Sequence, residues 1–117
     1  MKQNNRAIGQ AYEQMAGSFL ESCGYKILAY NYRCKLGELD IVARDGDMYV
    51  FCEVKYRKDS AMGDPSEAVD QEKRRRISRG AMTYLKEHRL WDVSCRFDVI
   101  SILGEELTHI ENAFELL

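Results

Sequence analysis

One stretch limits what this chain can become more than any other: Gly37 to Lys55, reading GELDIVARDGDMYVFCEVK. Two runs alternate apolar and polar residues with the period of two that a half-buried strand requires, and Asp45-Gly46 stands between them. Glycine accepts the positive φ of a tight turn, so the segment reads as a β-hairpin. With Asp45-Gly46 as the turn, Ala43 faces Met48, Ile41 faces Val50 and Asp40 faces Phe51. Successive side chains point to opposite faces of a strand. Glu38, Asp40 and Val42 therefore share a face with Tyr49, Phe51, Glu53 and Lys55, while Leu39, Ile41, Ala43, Val50, Cys52 and Val54 point into a core. In this register Glu38 lies opposite Glu53, and Asp40 lies diagonal to it at roughly 7–8 Å.

Like charges gathered in this way need an answer. Two carboxylates ~4 Å apart at an effective dielectric of ~20 repel by roughly 4 kcal/mol, a large share of a small domain's stability. Protonation, a lysine or a divalent cation relieves such a pair. Lys55 supplies one positive charge, and a hard, oxygen-seeking ion such as Mg²⁺ or Mn²⁺ would supply the rest. The residues alone equally allow a plain Glu53–Lys55 ion pair, since residues two apart on a strand face are about 6.6 Å apart.

An acid on one strand followed by Glu-x-Lys on the next, here Asp40 and Glu53-Val54-Lys55, resembles the PD-(D/E)xK nucleases, with Leu39 where the name-giving proline stands. Across essentially the whole chain the sequence is similar to the YraN family of small bacterial proteins, regarded as distant relatives of archaeal Holliday-junction resolvases. The matching pieces are Gly9 with Glu13 and Ala16, Gly37-Glu-Leu-Asp-Ile-Val42, Phe51-Cys-Glu-Val-Lys-Tyr-Arg57, Gly63-Asp-Pro65, and Lys73 with Ile77. The resemblance implies a restriction-endonuclease-like fold and metal-dependent cleavage of DNA, branched or structured DNA included. It also implies a site in which Asp40, Glu53 and Glu13 hold Mg²⁺ or Mn²⁺ and Lys55 completes the catalytic set. Glu38 is a further acid at the same place. Cleavage of branched DNA needs two active centres, so a homodimer is the matching expectation.

At 117 residues the chain fits one domain spanning 1–117, and 45% hydrophobic content suffices for a single core. No run approaches transmembrane length and no charged-then-apolar leader stands at the start, which points to the cytoplasm and no membrane partner. Cys23, Cys34, Cys52 and Cys95 form no C-x-x-C pair. They read as reduced, mostly buried thiols rather than a zinc site or a disulfide framework. A net charge of −2 excludes a uniformly basic nucleic-acid coat but leaves room for a local basic patch.

From about Asn5 to Cys23, apolar residues recur at Ile8, Tyr12, Met15, Ala16, Phe19, Leu20 and Cys23, the spacing of a helix that Gly24 ends. Glu13 flanks this stripe. By itself it reads as a surface glutamate, and the resemblance places it in the acidic site. Tyr25 to Tyr32 is a first strand, rich in aromatic and branched residues. Arg57 to Gly63, with Lys58, is an exposed loop that suits substrate phosphate.

Asp64-Pro65-Ser66-Glu67 carries the capping signals of a second helix, interrupted near Asp70 and reaching about His88. Its inward stripe is Ile77, Ala81, Leu85 and His88, with Lys73 on the inward side. Lys73, Arg74 and Arg75, together with Arg57, Lys58 and Gln71, are the candidates for holding a nucleic-acid backbone. Ser94 to Leu103 and Leu107 to Asn112 are the last two strands. Asp98 reads as a structural acid paired with Arg96, and His88 and His109 as isolated.

The order predicts an α/β sandwich of αβββαββ type, with a mixed five-stranded sheet and helices packed on it. Two further readings fit the same residues: a non-catalytic nucleic-acid-binding module with a nuclease fold, and a protein-interaction domain in which Lys55 only neutralises Glu53.

Overall fold

The computed structural model describes residues 5–57 and 70–116. Helix α1 (Asn5–Ser22) is followed by strands β1 (Lys26–Arg33), β2 (Glu38–Asp45) and β3 (Met48–Arg57). Helix α2 (Gln71–Glu87) leads to strands β4 (Cys95–Leu103) and β5 (Glu106–Phe114), giving the αβββαββ order. The five strands form one sheet in chain order, β1-β2-β3-β4-β5. The β3–β4 pair is parallel, and the other neighbours are antiparallel. The loop Arg57 to Gly63 beyond its first residue, with Lys58, and the Asp64-Pro65 capping signal lie outside the described residues.

Each helix covers one face of the sheet, because apolar residues alternate along the central strands. Ala16 and Leu20 of α1 pack on Ile41, Ala43, Val50, Cys52, Ile100 and Ile102. Ile77, Ala81 and Tyr84 of α2 pack on Leu39, Val42, Phe51, Phe97 and Val99. Asp70 begins α2: its extended backbone places Oδ1 2.8 Å from the Lys73 N–H, which it accepts. The inward stripe of α2 differs from expectation at its end. Tyr84 is buried in place of His88, which is exposed and stacked on the Tyr84 ring at 3.9 Å. Met15 and Cys23 are also exposed on α1 and just after it. All four cysteines are free, but only Cys52 is buried, and Cys23 and Cys95 lie in solvent.

The central hairpin turns one residue later than its sequence suggests. Asp45 pairs with Met48, so Gly46 and Asp47 form the turn, with Gly46 at φ 60°. Ala43 consequently faces Val50, and Ile41 faces Cys52. The register moves by two residues, which preserves the faces. The register ends at Ile41↔Cys52, and the carboxyls of the next two residues, Asp40 and Glu53, come within hydrogen-bonding reach of each other.

A second departure concerns Leu39. Regular alternation puts it with Ile41, yet it packs on the α2 side and Ile41 on the α1 side. The partner strand switches at the same place, with Tyr30 against the α1 core and Tyr32 against the α2 core. Between these cross-strand pairs sits Asn31 at φ 52°, a left-handed conformation that asparagine tolerates better than most residues. The ribbon thus rotates at Asn31 and Asp40.

On the other side of the sheet, Asp98 is fully buried and Arg96 Nε donates to its Oδ1 at 2.9 Å. His109 Nε2 lies 2.7 Å from Oδ2, so this histidine is not isolated. The Asn112 N–H donates to Oδ1 at 3.0 Å where the β4–β5 register shifts. Burial pushes the Asp98 carboxyl up, but hydrogen bonds from His109, Arg96 and the Asn112 N–H outweigh it and hold it below the usual aspartate range. The lowered folded value means that Asp98 stabilises the fold above the unfolded pKa of about 3.9 and loses that contribution as pH falls through the folded value. Asp98→Asn is expected to lose about 3–5 kcal/mol at pH 7, because Arg96 is left without its buried counter-charge. Urea titrations of both proteins from neutral to strongly acidic pH check this: the gap narrows as pH falls.

Candidate functional site

The β2–β3 ladder runs from Asp45↔Met48 to Ile41↔Cys52 and no further. The Val54 N–H, which a longer ladder would have paired with backbone, donates instead to Asp40 Oδ2 at 2.9 Å. The rotation at Asn31 and Asp40 therefore parts the strands and fixes a carboxylate in the gap. Glu53 is 3% exposed beside it. Burial, followed by the negative charge of Asp40, pushes the Glu53 pKa up to about 8. Lys55 and Lys73 work against that shift, with each Nζ 3.4 Å from Glu53 Oε1. Lys73 is itself raised: burial opposes its charge, but Glu53 and Glu38 overcome that.

Glu13 reaches the same region from α1. It is 8% exposed, hydrogen-bonds Asn31 and has its pKa raised, first by burial and then by Asp40. Glu38 lies at the rim. Its Oε1 is 3.2 Å from Lys73 Nζ and 3.3 Å from Arg76 Nη2. Burial would raise its pKa, but Lys73, Arg76 and Arg33 outweigh burial and lower it. A cleft of about 510 Å³ opens over Glu13, Glu38 and Asp40, with Arg6, Asn31 and Arg33 also in its lining; Glu53 lies buried beside Asp40 and is not part of that lining. The structure thus brings Asp40, Glu53, Lys55, Glu13, Glu38 and Lys73 to one place.

The other basic candidates are distributed differently. Arg74 lies over the Phe114 ring, 5.5 Å from its centroid, towards β5. Arg75 and Gln71 are exposed on the first turns of α2. Arg57 donates to the Tyr56 carbonyl at 3.0 Å. Arg76, one of the arginines after Lys73 that the sequence offers for holding a backbone, touches the site through Glu38, one helical turn on from Lys73. Arg33, Arg6 and Asn31 line the cleft without having been singled out from the sequence. Asn31 gives no pattern signal, because its relevance arises from a backbone angle.

The donor chemistry suits a hard divalent ion. Asp40 and Glu53 offer carboxylate oxygens, and burial, with the Asp40 charge second, pushes Glu53 up in spite of Lys73 and Lys55. Among the described residues no group of three or more histidine, cysteine, aspartate or glutamate side chains is placed to hold a metal ion, so Glu13 does not join Asp40 and Glu53 as a third ligand. Asp40 and Glu53 are the two that could hold an ion, and a hard ion of the Mg²⁺ type commonly keeps several waters.

Residues 12–102 match the family described as "Uncharacterised protein family UPF0102". A UPF0102 protein of Geotalea daltonii is 45% identical, covering 98% of this chain and 94% of that protein. One from Lachnoclostridium phytofermentans is 48% identical over 96% of both chains. One from Pelobacter propionicus is 50% identical, covering 97% of this chain and 86% of that protein. The chain belongs to the UPF0102 family, which is the YraN family. No helix among the described residues is long and apolar enough to cross a membrane.

Helix α2 is held against this site by backbone contact. A Cβ on Gly37 would fall 2.1 Å from the Arg76 carbonyl oxygen and 2.7 Å from the Gly80 nitrogen. Neither backbone atom can move aside cheaply, and the same contact presents Lys73 and Arg76 to Glu38. Gly37→Ala is expected to cost roughly 2 kcal/mol or more by forcing α2 off β2. A lowered urea midpoint with an unchanged slope checks it.

Proposed function

We propose that this protein is a metal-dependent phosphodiesterase acting on nucleic acid, with DNA the expected substrate and structured or branched DNA the expected form. The carrying observation is the Asp40–Glu53 pair: a buried carboxylate pushed up to about 8, beside a second acid and within reach of two lysines. A carboxylate perturbed by burial and by a specific charge partner, beside a cleft, is a functional-site candidate. The resemblance of Asp40 and Glu53-Val54-Lys55 to the PD-(D/E)xK pattern supports the same reading. Free cysteines suit action in the cytoplasm.

Asp40 and Glu53 would hold Mg²⁺ or Mn²⁺, which when bound supplies Lewis-acid polarisation of the phosphate and an acidified water. Every other part falls to the chain itself. Val54 fixes one Asp40 oxygen through its N–H, so this carboxylate is oriented before substrate arrives. The Lys55 ammonium, 21% exposed at its side chain, is placed to donate to a phosphate oxygen and stabilise the charge that develops there. Glu13, fixed by Asn31, would accept a proton from a water in the cleft, in keeping with its raised pKa.

Purified protein incubated with labelled single-stranded, duplex and four-way-junction DNA is expected to cut in Mg²⁺ or Mn²⁺ and not in chelator. Glu53→Gln and Lys55→Ala should each lose roughly 100-fold or more. Mn²⁺ should raise the melting temperature of the wild type and not of Glu53→Gln. Salt-sensitive binding without cleavage by the wild type would sink the catalytic reading and favour a binding module. No metal-induced stabilisation would remove the metal site.

A further inference from the structure

The rim of the cleft carries an arrangement that the catalytic set leaves unused. Glu38 Oε1 accepts from Lys73 and is 3.3 Å from Arg76, with Arg33 acting on the same carboxylate from β1. Two cations of α2 thus contact one side-chain oxygen group that remains 30% exposed, and Arg33 stands opposite it across the β1–β2 ladder. Lys73 and Arg76 are one helical turn apart and would repel each other without an anion between them. A phosphodiester offers what Glu38 offers: an anionic pair of oxygens that a guanidinium can grip in a planar, two-point fashion. At Glu38 the cations outweigh burial and lower the carboxyl, whereas at Glu13 and Glu53 burial, followed by the charge of Asp40, keeps it raised.

We propose that Lys73, Arg76 and Arg33 form a cradle for a backbone phosphodiester of the substrate strand, and that the Glu38 carboxylate fills this cradle until the strand displaces it. The inference rests on the phosphodiesterase reading of the neighbouring acids and adds where the strand is gripped. Glu38 keeps three cations pre-arranged against their mutual repulsion. A free phosphate must displace the tethered carboxylate alone. A polynucleotide brings further phosphates to the same cleft, where Arg6 also lies. The ligand is therefore a strand, and Glu38 is a positioning residue whose removal strengthens binding, the reverse of what loss of a metal ligand does.

The test reads binding and cleavage separately. Fluorescence anisotropy of a labelled single-stranded oligonucleotide is measured in chelator across a salt series, with thermal melts confirming that each variant folds. Glu38→Gln is expected to bind roughly fivefold more tightly than wild type, with a salt slope steeper by about one. Arg76→Ala should weaken binding, and the gain should vanish in Glu38→Gln/Arg76→Ala. Glu38→Ala provides the same reading by a second route. Equal or weaker binding by both Glu38 variants overturns the cradle, as does a gain that survives loss of Arg76. Inorganic phosphate displacing the oligonucleotide at comparable phosphate concentration overturns the choice of a strand. Tightened binding in a protein that never cuts leaves the cradle standing and counts against catalysis alone.

Discussion

The structure turns on one hydrogen bond between a side chain and a backbone. Beyond Ile41↔Cys52 the β2–β3 ladder stops, and the Val54 N–H is satisfied by the Asp40 carboxylate. A buried N–H cannot be left without an acceptor, so strands that part here need a substitute for the missing carbonyl. An aspartate is short enough to supply it and ionised enough to make it strong. The substitution has a consequence: a negative charge is fixed inside the sheet, beside Glu53. The cleft, the strained glutamate and the gathering of lysines all follow from it.

The same device occurs again at Asp98, with a different outcome. Asp98 accepts from the Asn112 N–H where the β4–β5 register shifts, and Asn112, like Asn31, has φ 52°. Here the protein answers the buried charge itself, with the Arg96 guanidinium and with hydrogen bonds from His109 and the Asn112 N–H, and Arg96 also donates to Tyr25. The Asp98 carboxyl consequently lies below its ordinary range, whereas Glu53 beside Asp40 is driven well above its own. Two aspartates that patch broken ladders thus separate into a saturated structural centre and an unsaturated one. In the proposed function it is the second of these centres that takes the ion and the phosphate.

Helix α2 sets the second half of the site. Gly37 lets the backbone of the helix rest on the backbone at the start of β2, closer than a side chain there would allow, and Gly80 faces it across a tight contact. That seat brings Lys73 to both Glu38 and Glu53 and turns Arg76 to the rim. Arg74, only one residue after Lys73, points instead to Phe114. A run of basic residues is therefore divided by helical geometry into a part that serves the acids and a part that does not.

Much of this was legible in the residues themselves. Period-two alternation located β2 and β3, 3.6-residue spacing located α1 and α2, and the acids with Glu-x-Lys marked the centre, because these are local patterns imposed by burial on one face. The hairpin register was harder: Asp45-Gly46 and Gly46-Asp47 are both good turns, and only packing across the whole sheet chose between them, bringing Asp40 beside Glu53. Leu39 defied its alternation because Asn31 rotates the ribbon, and a left-handed φ leaves no mark in a side-chain pattern. Sequence alone thus determined which residue types face the core and which acids and bases the chain has to place. Only the tertiary structure decided which charges meet, because charge pairing acts over a few ångströms between residues distant in the chain, and those distances exist only once the two helices are seated on the sheet.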